Sequence, residues 1–129
     1  DGGRSNTSFQ KKSKLGDCVI RACTLATKLP YQKVWEDLCE LSKSTGMFPN
    51  HYQTYEIFLA EHGWIKQKTP RDKNKKMVPI YKWDFNKSAV VSVASHLVFI
   101  DKKTVFDTWD CRDRKIQNYY ISTLELMGA

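Results

Sequence analysis

Gly16-Asp17-Cys18-Val19-Ile20-Arg21-Ala22 is the stretch on which the fold turns. Around it Leu15, Cys18, Ala22, Leu25 and Leu29 recur at helical spacing, and Val19 and Ala26 widen the stripe. That periodicity predicts an amphipathic helix over 17–28 with its apolar side on a core. Asp17 is a residue type that caps helix N-termini, which makes Cys18 the first helical residue. A thiol there feels the positive end of the helix dipole, and Lys11, Lys12, Lys14 and Arg21 add cations that favour thiolate over thiol. Asp17 works in the opposite direction. Cysteine is also a small apolar residue, so position 18 is open to a core filler on the inner helix face.

The second half of the chain is rich in β-branched and aromatic runs. Residues 89–94, 96–100 and 104–109 read as strands, and Asp101-Lys102-Lys103-Thr104 reads as the turn joining the last two. With a two-residue loop at Lys102-Lys103, Ile100 pairs with Val105, Val98 with Asp107 and His96 with Trp109. Asp107 is then a diagonal neighbour of His96 on one face, and Cys111 shares that face as a rival thiol. Asp101 and Asp110 point the other way. A three-residue loop or a bulge would reverse the parity and bring Asp110 to the histidine. His96 is also open to a purely structural role at a strand start.

A chain of 129 residues is expected to form one domain, 1–129, around a single core. An apolar fraction of 41% with six Phe, six Tyr and four Trp belongs to folded proteins. No stretch reads as a transmembrane span or signal peptide, and without a start Met the sequence reads as trimmed, processed or a fragment. Cys18, Cys23, Cys39 and Cys111 form no C-x-x-C pair and no secreted framework, which points to reduced thiols and a cytoplasmic setting. His51, His62 and His96 lie at no ligand spacing from a cysteine, so neither a metal nor a cofactor is expected.

Twenty-one Lys and Arg against fourteen acids give a net charge of +7, which suits anionic partners. The excess gathers in Lys66, Lys68, Arg71, Lys73, Lys75 and Lys76, read as a solvated basic loop, with Trp64, Tyr81 and Trp83 near enough to stack bases. No helix-turn-helix, zinc-finger or RNP pattern positions them, so nucleic-acid binding is the alternative rather than the first reading. Residues 1–14 read as an extended lead-in. Further helices are expected at about 31–43 and 50–62, the latter stopped by Gly63. Residues 77–85 read as a strand region and 115–121 as a last strand. Helices first and antiparallel strands second is an α+β layout, with the Cys18 helix on the sheet that carries His96.

Taken in order, Gly2-Gly3-Arg4, Gly16-Asp17-Cys18-Val19-x-Arg21-Ala22, Tyr31-x-x-Val34-Trp35, Tyr55-x-x-x-Leu59 with Gly63-Trp64, Val91-Ser92-Val93-x-Ser95-His96-Leu97-Val98 and Asp107-Thr108-Trp109-Asp110 resemble bacterial and bacteriophage proteins of the papain-like cysteine peptidase superfamily. Their plan is similar to that of the compact peptidases that trim double-glycine leaders. The resemblance implies a papain-like fold of N-terminal helices packed on a C-terminal antiparallel sheet. It implies Cys18 as nucleophile, His96 as general base and Asp107 as the group that orients the imidazole. A glutamine six residues before the nucleophile would complete a papain-type oxyanion hole, but that position is Lys12. Gln10 and the backbone N–H of Cys18 are the candidates instead. The expected protein is a monomeric thiol hydrolase acting on a peptide or isopeptide bond of a protein or peptide substrate. Amide transfer and deamidation would use the same residues. The alternative is a non-catalytic phage or bacterial binding protein on the same fold, engaging a host protein or nucleic acid through the basic loop.

Overall fold

Among the described residues three helices run before the first strand. In the computed structural model, which describes residues 17–126, they are α1 (Cys18–Thr27), α2 (Tyr31–Thr45) and α3 (Tyr52–Glu61). Pro30 stands just before α2, Gly46 ends it at φ 73°, and Gly63 turns the chain out of α3 at φ 80°. The strands are β1 (Trp64–Gln67), β2 (Ser88–Val93), β3 (His96–Asp101), β4 (Thr104–Phe106) and β5 (Asn118–Ser122), followed by the single turn α4 (Thr123–Leu126). They form one sheet in the order β1-β5-β2-β3-β4, antiparallel throughout. The architecture is α+β.

Successive strand residues enter different cores, as the two-residue period of a strand requires. Val90, Leu97 and Tyr120 join Val19, Ala22, Cys23, Val34, Leu38, Phe58 and Leu59 under the helices. Their neighbours Val91, Val98 and Ile121 face the other way, onto Ile80, Cys111 and Ile116. This second core is roofed by the long connections between β1 and β2 and between β4 and β5, and Trp83 stacks on Phe85 at 4.6 Å within it. With both faces covered, β2 reads as a nearly unbroken apolar run.

Several expectations need correction. Residues 77–85 are not a strand: Pro79 cannot donate to a ladder, and the segment makes a 3-10 turn at Ile80–Lys82 with isolated bridges Arg71↔Met77 and Pro79↔Lys115. The basic loop begins at Lys68 rather than Lys66, because 64–67 pairs with β5 as an edge strand. The strand expected over 104–109 stops at Phe106, where the Asp107 carboxylate accepts the Thr108 N–H at 2.7 Å and bends the chain out of the ladder. The pairs Val98 with Asp107 and His96 with Trp109 therefore do not form. The last strand starts at Asn118, not 115, and lies inside the sheet. On α1 every residue from Val19 to Thr24 is buried, a broader face than the Cys18, Ala22, Leu25 stripe. The lead-in 1–14, including Gln10, Lys11, Lys12 and Lys14, and Leu15 lie outside the described residues.

The hairpin parity is as the two-residue loop requires. Lys102 and Lys103 both take left-handed φ, 48° and 70°, which matches the twist of the flanking strands, and Ile100 pairs with Val105.

Candidate active site

Helix α1 packs on β3, and the first residue of one meets the first residue of the other. His96 opens β3 at the end of the sheet, where its ring reaches both Cys18 on the helix side and Cys111 in the second core. Its Nε2 hydrogen-bonds Asp107 Oδ2 at 2.5 Å, with both side chains almost entirely buried. The structure thus brings Cys18, His96 and Asp107 together. Asp110 instead holds Arg112 at the surface, and Asp101 accepts the Ser88 hydroxyl at the far end of β3.

The electrostatics of the three groups follow from these contacts. Burial alone would raise the Cys18 thiol. It is outweighed by the hydrogen bond from His96, the Leu97 backbone and the charges of His96 and Arg21, so the thiol lies below its ordinary value. Cys23 and Cys39 go the opposite way, raised first by burial. Hydrogen bonds with Cys111 and Cys18 push His96 up, burial opposes them, and Asp107 adds its own bond and charge, bringing the imidazole to about 10. Asp107 is held below the usual carboxylate range although burial opposes this, because it accepts from His96 and from the Thr108 N–H. These shifts favour a thiolate at Cys18, an imidazolium at His96 and a carboxylate at Asp107.

The two shifts have a stability signature. His96, raised from 6.5 to about 10, contributes stabilisation that is full below 6.5 and lost as pH rises toward 10. Cys18, lowered from 9.0, contributes stabilisation that is present above 9.0 and lost as pH falls toward its lowered value. Above 9.0 the unfolded thiol is empty while His96 keeps its proton to about 10, so stability falls as pH rises. Denaturant titrations of wild type and of a variant carrying Cys18→Ser and His96→Gln are therefore expected to converge as pH rises from 9.0 to about 10. A difference that stays constant over that range means that the fold does not hold the His96 proton.

The surroundings add residues that the sequence did not reveal. Trp109 lies over the imidazole at 4.8 Å between ring centroids and is itself covered by the Arg114 guanidinium at 5.4 Å. Asp17 sits at the N-cap position but makes no capping bond. Its carboxylate accepts from Arg21 Nε at 2.9 Å and from the Tyr31 hydroxyl at 2.8 Å, so a charge expected to oppose the thiolate is neutralised. The i, i+4 spacing of Asp17 and Arg21 was the available signal. Cys18 and His96 border a cleft of about 630 Å³ whose wall includes Tyr55, Ser92, Asn118 and Tyr120. The charges inside it are paired: Glu56 accepts from Lys66 at 3.2 Å and from the Tyr120 hydroxyl at 3.0 Å.

Against protein-family models, curated proteins and solved structures, nothing matches this chain. The chemistry of the site must be read from its own geometry.

His96, Asp107 and Cys111 are also the one group among the described residues whose donor atoms, all within 4.8 Å, converge enough for a metal ion. The donors already serve one another. Gln10, the other oxyanion candidate, lies outside the described residues. The Cys18 N–H, in the first turn of α1, has no acceptor within the helix and faces the same end as the thiol. No helix among the described residues is long and apolar enough to cross a membrane.

Proposed function

We propose that this protein is a papain-like thiol hydrolase that cleaves a peptide or isopeptide bond, acting as a cytoplasmic monomer on a protein or peptide substrate. The observation that carries the reading is the imidazole of His96, hydrogen-bonded to the buried Asp107 carboxylate and standing beside Cys18 on one cleft wall where α1 packs on β3. Such a pair supplies both halves of acyl transfer. The Cys18 thiolate attacks the carbonyl carbon, its electron pair forming the C–S bond while the carbonyl π pair moves to oxygen. As that oxyanion collapses, the C–N bond breaks and the imidazolium of His96 gives its proton to the leaving nitrogen. Water, deprotonated by the now neutral His96, then attacks the thioester and releases Cys18 as thiolate. Asp107 keeps its charge throughout and holds the imidazole in one orientation. The Cys18 N–H is the oxyanion donor within the described residues, and Gln10 the candidate outside them.

The test needs no substrate. At pH 6–7 iodoacetamide is expected to label Cys18 well before Cys23, Cys39 or Cys111, as read by mass-spectrometric site mapping. Labelling of Cys18 no faster than of half-exposed Cys39 overturns the reading, and first labelling of Cys111 transfers the nucleophile to that residue.

A second reading is favoured by a basic groove of about 670 Å³ lined by Arg71, Lys76, Lys82 and Lys115, with Tyr81, 62% exposed, among them. Its acids are occupied, Asp72 by backbone N–H groups and Asp84 by Lys103. The groove fits the phosphates and bases of a single-stranded nucleic acid. Salt-sensitive oligonucleotide binding that persists in Cys18→Ser and disappears in Lys76→Gln with Lys82→Gln would favour a binding protein.

A further inference from the structure

Arg21 is the one charged residue in the buried half of α1, and no step of the acyl transfer uses it. Its guanidinium is a fork between two carboxylates. Nε donates to Asp17 Oδ1 at 2.9 Å, one turn earlier on the chain, and Asp17 is in turn held by the Tyr31 hydroxyl at the start of α2. Nη1 donates to Asp107 Oδ1 at 3.2 Å and to Thr108 Oγ1 at 3.0 Å, in the segment after β4. The side chains of Arg21 and Asp107 are only 10% and 4% exposed, so this contact is poorly screened by water. The two oxygens of Asp107 are thereby divided: Oδ1 receives Arg21 and the Thr108 N–H, and Oδ2 is left for His96.

We infer that Arg21 is a positioning residue of the thiol site, fixing the Asp107 carboxylate so that Oδ2 faces His96 and tying the helix that carries Cys18 to the segment that carries Asp107. The inference rests on reading Cys18, His96 and Asp107 as that site. A charge alternation supports it. From the α2 side inward the groups are Asp17, Arg21, Asp107, His96 and Cys18, each opposite in sign to its neighbours when ionised, with the hydroxyls of Tyr31 and Thr108 and the Cys111 thiol as the polar groups against them. A bridge that only braced α1 would need Asp17 alone. Lysine cannot replace the fork, because one ammonium at the end of a flexible stem does not serve two carboxylates in fixed geometry.

The experiment measures the pH midpoint of thiolate formation at Cys18, by ultraviolet thiolate absorbance corrected with Cys18→Ser, alongside thermal unfolding. Two variants are used: Arg21→Lys, and Arg21→Gln combined with Asp17→Asn, which removes the buried pair as a whole. Loss of the hold on Asp107 weakens the imidazolium and so the thiolate. The midpoint is expected to rise by about one pH unit in the double variant and by less in Arg21→Lys, which keeps the charge. A residue that only braces the fold would lower the unfolding temperature and leave the midpoint where it is. Folded variants with an unchanged midpoint overturn the inference, and so does failure of both variants to fold, which assigns Arg21 to stability. If wild type itself forms no thiolate near neutral pH, the thiol-site reading fails first and takes the inference with it.

Discussion

Replacing His96 with Gln is expected to reduce the thiolate population of Cys18 at pH 7 to about a hundredth, the fraction ionised two pH units below a thiol's ordinary value of 9.0. The size follows from what remains. Without the imidazole, Cys18 loses the hydrogen bond from His96 and the larger of its two favourable charges, while burial still opposes ionisation. The Leu97 backbone, Arg21 and the helix dipole are left, and a dipole contributes about 0.3–1 kcal/mol, less than one pH unit. Alkylation rate is the less sensitive readout, because a thiolate of lower basicity is also a weaker nucleophile, which returns about half of the effect on a logarithmic scale. Ultraviolet thiolate absorbance, referenced to Cys18→Ser, counts the population directly. Hydrolysis of any substrate found should fall further, by about 10²–10⁴ from loss of the proton donor alone. Undiminished thiolate absorbance in folded His96→Gln would mean that helix position and Arg21 ionise Cys18 unaided, and the His96 assignment would have to be abandoned.

The parts of this site that could be read from sequence are those fixed by local rules. Cys18 at a helix start follows from periodicity and the residue type before it, and the register of β3 on β4 follows from a two-residue loop. The register holds only to Phe106, though, and Asp107 reaches His96 from the bend that follows β4 rather than from a strand pair. What escaped depends on contacts made far along the chain. The four residues Trp64-Ile65-Lys66-Gln67 become a strand because β5, more than fifty residues later, pairs with them, and nothing in their own alternation says so. Residues 77–85 carry enough apolar side chains to read as a strand, yet they cover the second face of the sheet with a 3-10 turn and isolated bridges, Pro79 having no N–H to donate to a longer ladder. Asp17 could cap a helix or pair with a cation one turn on. The residue type is the same for both, and the buried Arg21 decides for the second. Arg21 itself looks like surface charge until Asp107 arrives from the other half of the molecule.

Asp107→Asn is expected to be the most damaging single change to the site short of removing Cys18 or His96, and Arg21 is the reason. An asparagine can orient a catalytic histidine in thiol hydrolases, since its one carbonyl oxygen accepts the ring N–H. Here the carboxylate must accept on both sides: His96 on Oδ2, and Arg21 with the Thr108 N–H on Oδ1. An amide has an acceptor for one side only. Two donors, one of them a cation, outcompete one, so the amide oxygen turns to Arg21 and the NH₂ faces Nε2. A ring nitrogen facing a donor must be unprotonated, which removes the imidazolium and with it the Cys18 thiolate. The fold suffers as well. Cutting a buried charge pair costs about 3 kcal/mol or more, visible as a lower denaturation midpoint. Asp101→Asn and Asp110→Asn leave this arrangement intact, Asp110 being an exposed partner of Arg112, and neither should alter thiolate absorbance at pH 7. With Arg21→Gln added to Asp107→Asn the competing cation is gone, the amide oxygen can turn back to Nε2, and part of the thiolate should return. If Asp107→Asn alone keeps the full thiolate signal, His96 needs no carboxylate and acts with Cys18 as a pair.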